Sequence, residues 1–209
     1  MLKTILFDVD GTLIDTEEII IQSLQETLEK ELDLTKTAEE LKFVLGIPGK
    51  EAVKQLVETE RDYFLEQWSL RLDQLSPQAK LFDQVKSLLE ELKKMDYNLG
   101  VVTSKTKNDM DESLDRFQLH SYFDAVVTTS DTKKHKPNAA PILKALEIIN
   151  EEPEHAMYVG DSVYDFLSAQ NSGVQFALAE WGAQEHEEFA KVKIHLEEPT
   201  DLIDHLKEN

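Results

Sequence analysis

Two carboxylates stand two positions apart near the start of the chain, as Asp8 and Asp10. They follow an apolar run at positions 5–7, which is typical of a parallel strand buried on both faces. Gly11 tolerates a positive φ and lets the backbone approach a ligand, while Thr12 and its neighbours offer N–H groups to an anion. Paired carboxylates in such a place can do acid–base or metal chemistry.

Two other interpretations compete for this string. An Asp-x-Asp-Gly sequence can be an ordinary turn, because Asp and Gly are favoured there. A calcium loop would use the same residue types, but aligning Gly11 with the loop's invariant Gly puts Leu6 at the obligatory first carboxylate. It also puts a strand where the entering helix belongs. The calcium loop is therefore rejected, whereas the turn stays open for this string alone.

Length and composition narrow the class of protein. With 209 residues, of which 41% are hydrophobic, the chain can bury a real core in one large domain or in a domain with an insertion. The formal charge of −20 argues against nucleic acid or an anionic membrane as partner. The absence of Cys excludes disulfides and thiolate metal sites. Neither a signal peptide nor a membrane span is apparent, so we expect a soluble cytoplasmic protein, monomeric or weakly dimeric.

Hydrophobic periodicity divides the chain into a core and an insert. Residues 16–81 carry helical spacing and no convincing strand, whereas from residue 82 onward strands and helices alternate. Repeated strand-helix units predict an α/β fold with a right-handed, parallel, doubly wound sheet. We predict a core domain of residues 1–15 and 82–209 and an inserted all-helical domain of residues 16–81. The five predicted strands cover positions 5–7, 99–102, 125–127, 157–159 and 174–178.

Further polar residues fall at the carboxyl ends of these strands or in the loops just beyond them. Thr103 and Ser104 end the second strand, Asp161 follows the fourth, and Asp165 comes four residues later; Lys136 precedes a helix. Alone, the two carboxylates could be partners of a helix dipole, and Lys136 could be an ordinary surface lysine. Their common location favours one site at the carboxyl edge of the sheet.

With these motifs in order, the sequence resembles the haloacid dehalogenase-like hydrolase superfamily. The resemblance is to the branch of small phosphatases that includes phosphoglycolate phosphatases, pyrophosphatases and β-phosphoglucomutases, and it covers nearly the whole chain. It implies a Rossmann-like core with an inserted helical cap that closes over the site. The four motifs are read here at positions 8–12, 101–104, 136–137 and 160–165.

The resemblance implies a role for each carboxylate. Asp8 would be the nucleophile that forms an aspartyl-phosphate. Because a carboxylate and a phosphate repel each other, a hard divalent cation must lie between them, and an oxygen-only ligand set suits Mg²⁺. Asp8, Asp161 and the main-chain carbonyl of Asp10 would ligate it, and Asp165 would hold a ligand water or Asp161. The Asp10 side chain would alternate between general acid and general base, which argues against dehalogenase chemistry.

The remaining site residues would neutralise charge and bind phosphate. Lys136 would offset negative charge, and the Thr103 hydroxyl would hold phosphoryl oxygens together with nearby N–H groups. Gly11, Thr12 and Ser104 are the other candidates for phosphate binding. In the cap, the loop at positions 46–50 would face the substrate, and Lys50 could meet its anionic part. His135 is interpreted as a rim residue and Trp181 as packing.

These expectations point to a magnesium-dependent phosphatase acting on a small phosphorylated metabolite, with phosphoglycolate as the leading substrate. The alternatives are a β-phosphoglucomutase-like phosphomutase, an inorganic pyrophosphatase, or a catalytically silent binding protein with the same fold. The mutase is disfavoured because such enzymes tend to place a His in the first cap helix, where this chain has Ile at positions 19–21.

Overall fold

The structure is a computed structural model that describes residues 1–45 and 47–208. The chain divides into two compact units, one formed by Met1–Leu13 with Leu81–Asn209 and the other by Ile14–Lys80. The boundaries predicted from the sequence lie one or two residues farther along the chain. No helix within the described residues is both long and apolar enough to cross a bilayer.

The first unit is built on a six-stranded parallel sheet. Its strands lie in the order β5-β4-β1-β6-β7-β8, so the first strand of the chain is at the centre. The predicted parallel α/β sheet is confirmed, with one strand more than predicted. The strands are β1 (Thr4–Phe7), β2 (Ile14–Asp15), β3 (Lys80–Leu81), β4 (Asn98–Val102), β5 (Ala125–Val127), β6 (Ala156–Gly160), β7 (Gln175–Ala179) and β8 (Ile194–Leu196), of which β2 and β3 pair separately with each other.

The register of the sheet brings three strand ends together. Phe7, the last residue of β1, lies opposite Val101 of β4 and Val159 of β6. Since all three strands run the same way, whatever follows them emerges at one edge. The first loop residue after β1 is Asp8, and its N–H donates to the carbonyl of Val159 at 2.9 Å.

Side-chain alternation explains why these strands are apolar throughout. Leu6, Tyr158 and Phe176 lie side by side across β1, β6 and β7 and point to one face, where they join a buried cluster with helix residues such as Ile142 and Phe166. Neighbouring residues such as Ile5 point to the other face and are equally buried. Burial on both faces is expected when helices cover both sides of a parallel sheet.

The helices of this unit alternate with its strands. Pro141 lies in the first turn of its helix, where proline is tolerated, and Asp96, after another helix, has a left-handed backbone with φ of 65°. The residue before the helix at Val85 is Gln84, with φ of 68° and no side-chain cap. The helices are α5 (Val85–Lys94), α6 (Lys107–Phe117), α7 (Ala140–Ile149), α8 (Val163–Ser172) and α9 (Asp201–Glu208), numbered after four in the second unit.

Two elements near the C-terminus were not predicted. The strand β8 has three residues, with polar His195 in its middle, and is too short to show a period. The helix α9 buries only Leu202 and Ile203, so its apolar stripe is short as well. The strand β8 extends the sheet beside β7. Neither β8 nor α9 contains a predicted site residue.

The second unit consists of helices around a small core of its own, with β2 at its start and Lys80 of β3 at its end. The strand β3 was not predicted in the insert of residues 16–81. A capping box of Thr37 and Glu40 opens a helix of a single α-turn, which is followed by a 3₁₀ turn at Lys42–Val44. Trp68 is buried and donates its Nε1–H to Ser23 Oγ at 2.9 Å. The loop predicted to face the substrate, at positions 46–50, includes Gly46, which lies outside the described residues. The helices are α1 (Glu17–Leu32), α2 (Ala38–Leu41), α3 (Gly49–Leu56) and α4 (Arg61–Leu75).

Candidate active site

Asp8 lies at the centre of the sheet's carboxyl edge and is almost buried. Its Oδ1 is 2.9 Å from Lys136 Nζ. Burial is the main reason why its pKa rises to about 7, the nearby Asp165 carboxylate adds to the rise, and Lys136 opposes it. A carboxyl group that neutral pH leaves only partly ionised requires additional positive charge if it is to act as a full anion.

Lys136 connects Asp8 to a second carboxylate. Its Nζ lies 2.7 Å from Asp165 Oδ1 and 3.3 Å from the Tyr158 hydroxyl, and its side chain is 5% exposed. Burial alone would lower its pKa, but Asp165 and Asp8 together raise the pKa above its ordinary value. Lys136 is therefore a permanently charged ammonium held between two carboxylates.

Both carboxylate oxygens of Asp165 have hydrogen-bond partners. Its Oδ1 accepts from Lys136 and, at 2.9 Å, from the Tyr158 hydroxyl, whereas its Oδ2 accepts the N–H and hydroxyl of Ser162. The Ser162 hydroxyl in return accepts the Asp165 N–H, which makes a capping box at the start of α8. The helix start thus fixes Asp165, and Asp165 fixes Lys136.

Asp161 follows β6 and is buried beside the loop of residues 8–13, which we call the nucleophile loop after the role predicted for Asp8. Its Oδ1 accepts a hydrogen bond of 2.8 Å from Thr12 Oγ1. Gly11 has φ of +80°, and a Cβ at this position would overlap the Asp161 carboxylate, so the loop needs glycine for both reasons. Burial, Asp165 and Asp8 raise the pKa of Asp161 well above its usual range.

The structure shows a contact of Thr12 that the sequence did not predict. Its hydroxyl donates to Asp161, and its N–H donates to the Val9 carbonyl at 3.2 Å, while Thr12 itself is fully buried. Both donors therefore have partners within the protein. Thr12 orients Asp161, and its contact with phosphate stays a prediction.

A divalent cation would suit this cluster. Asp8, Asp161 and Asp165 each offer a carboxylate oxygen, and these oxygens lie within 4.8 Å of one another in buried surroundings. Lys136 supplies a single positive charge to three carboxylates. Burial, and after it the neighbouring carboxylates, raise the pKa values of Asp8 and Asp161. An all-oxygen set with excess negative charge fits Mg²⁺. Since the four contacts of Asp165 use both its oxygens, Asp8 and Asp161 are the better direct ligands.

Asp10 lies on a more open side of the same loop. Its Oδ1 is 2.9 Å from Lys105 Nζ, and the side chains of Asp10 and Lys105 are 33% and 20% exposed. The contact is an ion pair without good hydrogen-bond alignment, because Asp10 Oδ1 is buried yet has no aligned donor. Sequence reasoning missed Lys105; the signal available was its position directly after Thr103 and Ser104.

The loop after β4 carries the predicted phosphate-binding hydroxyls. Thr103 is buried, its N–H donates to the Val127 carbonyl, and its Oγ1 accepts the Lys105 N–H at 3.2 Å. Ser104 is exposed. Both residues emerge at the edge that holds Asp8, so their phosphate contacts stay a prediction compatible with their placement.

Residues just after β7 also hold the nucleophile loop in place. Trp181 Nε1–H donates to the Thr12 carbonyl at 2.9 Å, across 169 positions of sequence. A Cβ on Gly182 would overlap the backbone of Gly11, so only glycine allows the two loops to meet. Trp181 was interpreted as packing alone, whereas its indole also holds the loop of Asp8.

Two of the remaining residues singled out in the sequence lie apart from these contacts. Lys50 is exposed near the start of α3 in the second unit, and its proposed contact with substrate stays a prediction. His135 is exposed, although Lys136 next to it is buried.

Comparison with known proteins identifies the family. The family model described as haloacid dehalogenase-like hydrolase matches residues 5–179, which span the nucleophile loop, Lys136 and the Asp161 cluster. The chain is a haloacid dehalogenase-like hydrolase. The resemblance inferred from its motifs is confirmed.

The relatives of this hydrolase carry the names of phosphatases. A Caldanaerobacter subterraneus protein provisionally named pyrophosphatase PpaX is 38% identical over 92% of this chain and 88% of its own length. Pyrophosphatase PpaX of Bacillus cereus is 32% identical over 86% and 84%. A crystal structure of a provisional phosphoglycolate phosphatase from Lactobacillus plantarum has a TM-score of 0.90 and 28% identity, covering 98% of this chain and 99% of the other. The prediction that the hydrolase is a phosphatase is confirmed at this level.

Proposed function

We propose that the chain is a Mg²⁺-dependent phosphatase that hydrolyses a small phosphorylated metabolite through an aspartyl-phosphate on Asp8. The observation that carries the proposal is the buried arrangement of Asp8, Asp161, Asp165 and Lys136 at the centre of the sheet's carboxyl edge. Inorganic pyrophosphate is the first substrate to test, because relatives that are 38% and 32% identical to this chain carry the name pyrophosphatase. Phosphoglycolate, the substrate favoured by the motifs, is the second.

The first half-reaction transfers the phosphoryl group to the protein. An oxygen of Asp8 bonds to phosphorus while the bond from phosphorus to the leaving-group oxygen breaks, and Asp10 gives that oxygen a proton. Bound Mg²⁺, held by Asp8, Asp161 and the Asp10 carbonyl, would supply charge neutralisation between carboxylate and phosphate. Lys136 keeps Asp8 oriented through its contact with Asp8 Oδ1, and Asp165 in turn holds Lys136 in place.

The second half-reaction returns Asp8 to its starting form. Asp10, now a carboxylate, takes a proton from water as the water oxygen attacks phosphorus and the bond to Asp8 breaks. Inorganic phosphate leaves and Asp8 is again a carboxylate. One residue serves both steps because the acid form of Asp10 is consumed in the first and regenerated in the second.

Phosphate oxygens require donors at this edge of the sheet. Thr103 and Ser104 lie after β4, and the Gly11 backbone lies in the nucleophile loop, so these three are the proposed phosphate contacts. Lys50 is proposed to meet the rest of the substrate from the helical unit, which we interpret as a cap of residues 16–81. A small metabolite is the proposed partner, and the −20 charge supports neither nucleic acid nor membrane.

Phosphate release from pyrophosphate and phosphoglycolate, with and without Mg²⁺, tests the function. We expect release that EDTA abolishes and Mg²⁺ restores, and a loss of at least about 10⁴-fold in Asp8→Asn, since removing a covalent nucleophile removes the main path. Asp83→Asn, an exposed aspartate of the same unit, is the matched control and should retain wild-type rates.

Three outcomes would contradict parts of the proposal. Turnover that persists in Asp8→Asn would exclude the covalent intermediate. Interconversion of sugar phosphates with little net phosphate release would favour a phosphomutase. Ligand binding without turnover across a substrate panel would favour the silent binding protein.

A further inference from the structure

Lys105 is a second cation beside the proposed reaction centre, and the proposed mechanism does not yet use it. Its Nζ lies 2.9 Å from Asp10 Oδ1, and its side chain is more exposed to solvent than that of Lys136. The side chain is 20% exposed, compared with 5% for Lys136, so it is only partly enclosed by the protein.

The main chain of Lys105 is firmly held. Its N–H donates to Thr103 Oγ1 at 3.2 Å, and its carbonyl accepts both the N–H of Thr129 at 3.0 Å and the Thr129 hydroxyl at 3.1 Å. Three hydrogen bonds fix the point from which the side chain departs. A cation placed on such a base is positioned before substrate arrives.

The ammonium group is not saturated by the protein. An ammonium has three N–H donors, and the partner found for Lys105 Nζ among the described residues is one oxygen of Asp10, imperfectly aligned. Lys105 is therefore a cation with donors available.

We propose that Lys105 binds the second anionic group of the substrate, which departs with the leaving group. This inference rests on the phosphatase function proposed above. A general acid must come within hydrogen-bond reach of the leaving-group oxygen. Lys105 Nζ is 2.9 Å from Asp10 Oδ1. When Asp10 Oδ1 hydrogen-bonds the leaving-group oxygen, Lys105 Nζ would therefore lie within about 6 Å of that oxygen, which is two hydrogen-bond lengths.

That distance selects a class of substrate. In pyrophosphate the terminal oxygens are two bonds beyond the bridging oxygen, and in phosphoglycolate the carboxylate follows the leaving oxygen by one methylene. Both place a negative charge within reach of Lys105 when Asp10 faces the leaving oxygen. A neutral sugar or alcohol leaving group offers no such charge, so the site discriminates for a doubly anionic small molecule.

A matched substrate pair tests this role. Phosphoglycolate and 2-hydroxyethyl phosphate differ in the distal carboxylate, which becomes a neutral hydroxymethyl group, while the leaving oxygen stays on a similar carbon. We expect wild-type kcat/KM to favour phosphoglycolate by about 10- to 100-fold, the range of a charge-assisted hydrogen bond. In Lys105→Gln this preference should fall to about one, and Lys105→Arg should keep it within about threefold of wild type.

The ratio separates recognition from structural damage. Both substrates are measured on one preparation, so partial misfolding lowers both rates and leaves the ratio unchanged. Lys107→Gln is the control, since Lys107 is exposed on α6 and pairs with Asp111, and its ratio should equal that of wild type. If Lys105 only orients Asp10, Lys105→Gln lowers both rates equally and the inference is overturned.

Two further outcomes distinguish the inference from the function beneath it. Equal wild-type kcat/KM for the two substrates would overturn the Lys105 assignment while leaving a phosphatase in place. Absence of phosphate release from both, and from pyrophosphate, with Mg²⁺ would overturn the proposed function and the Lys105 assignment with it.

Discussion

Two lysines pair with carboxylates at the carboxyl edge of the sheet, and their surroundings differ. Lys136 is 5% exposed and contacts Asp8 and Asp165, whose remaining oxygens have further donors or lie in the carboxylate cluster. Lys105 is 20% exposed and meets a single oxygen of Asp10 without good alignment. One lysine belongs to a closed network and the other to an open pair.

The difference follows from what each region must do. The phosphoryl group is the same in every substrate of a phosphatase, so the groups around it gain from being rigid and pre-satisfied. The leaving group varies, and a contact with spare donors can adjust to it. The closed network therefore suits the shared chemistry, and the open pair suits recognition.

The largest expected effect comes from opening the closed network. Lys136→Met leaves Asp8 and Asp165 buried without their shared cation, so we expect the free energy of unfolding at pH 8 to fall by about 3–5 kcal/mol and turnover to be lost. Lys105→Met should cost less than about 1 kcal/mol, as expected for a partly exposed pair. Urea denaturation without Mg²⁺ measures both.

The exposed Lys134 provides the control, because Lys134→Met changes the same loop without entering the network. Equal losses of stability in Lys136→Met and Lys105→Met would contradict the contrast between a closed and an open region.

Much of the site could be predicted because chain order and sheet geometry determine it together. Asp8, Thr103 and Asp161 each follow a strand that the apolar runs predict, and parallel strands end at one edge. Conversely, β8 and α9 were missed, since three strand residues and two buried helix residues leave no measurable period.

Side-chain partners were harder to predict than positions. Thr12 was assigned to phosphate, but its hydroxyl is used by Asp161, 149 positions away. Lys105 was missed because its one local signal, the position directly after Thr103 and Ser104, does not by itself distinguish it from a surface lysine. Such partners depend on which distant segments the folded chain brings together, and residue spacing in one sequence does not reveal that.

A smaller effect concerns the charge deficit of the closed network. Burial and Asp165 raise the Asp8 pKa from 3.8 to about 7, so the folded protein holds this proton more tightly than the unfolded chain does. That contribution to stability is complete below about pH 4 and is lost as the pH rises through about 7. Asp8→Asn, which carries no charge to bury, should therefore be more stable than wild type at pH 8 without Mg²⁺.

We expect a gain in Tm of about 2–8 °C at pH 8, corresponding to about 1–2 kcal/mol, that shrinks toward pH 4. Thermal denaturation in EDTA across this range measures it, with Asp83→Asn as the surface control. A pH-independent difference, or a less stable variant at pH 8, would show that the Asp8 charge is already fully compensated in the closed network.

The smallest effect tests how rigid the nucleophile loop must be. Trp181→Phe keeps an aromatic ring but removes the hydrogen bond to the Thr12 carbonyl, so kcat should fall by about 3- to 10-fold with little change in KM, the effect of one neutral hydrogen bond. Gly182→Ala places a methyl group against the Gly11 backbone and should lower kcat further. Trp68→Phe, which removes an indole hydrogen bond in the helical unit, is the control for loss of an indole. If Trp181→Phe raised KM alone, the hydrogen bond from Trp181 would serve substrate binding. The rigidity ascribed to the closed network would then not depend on it.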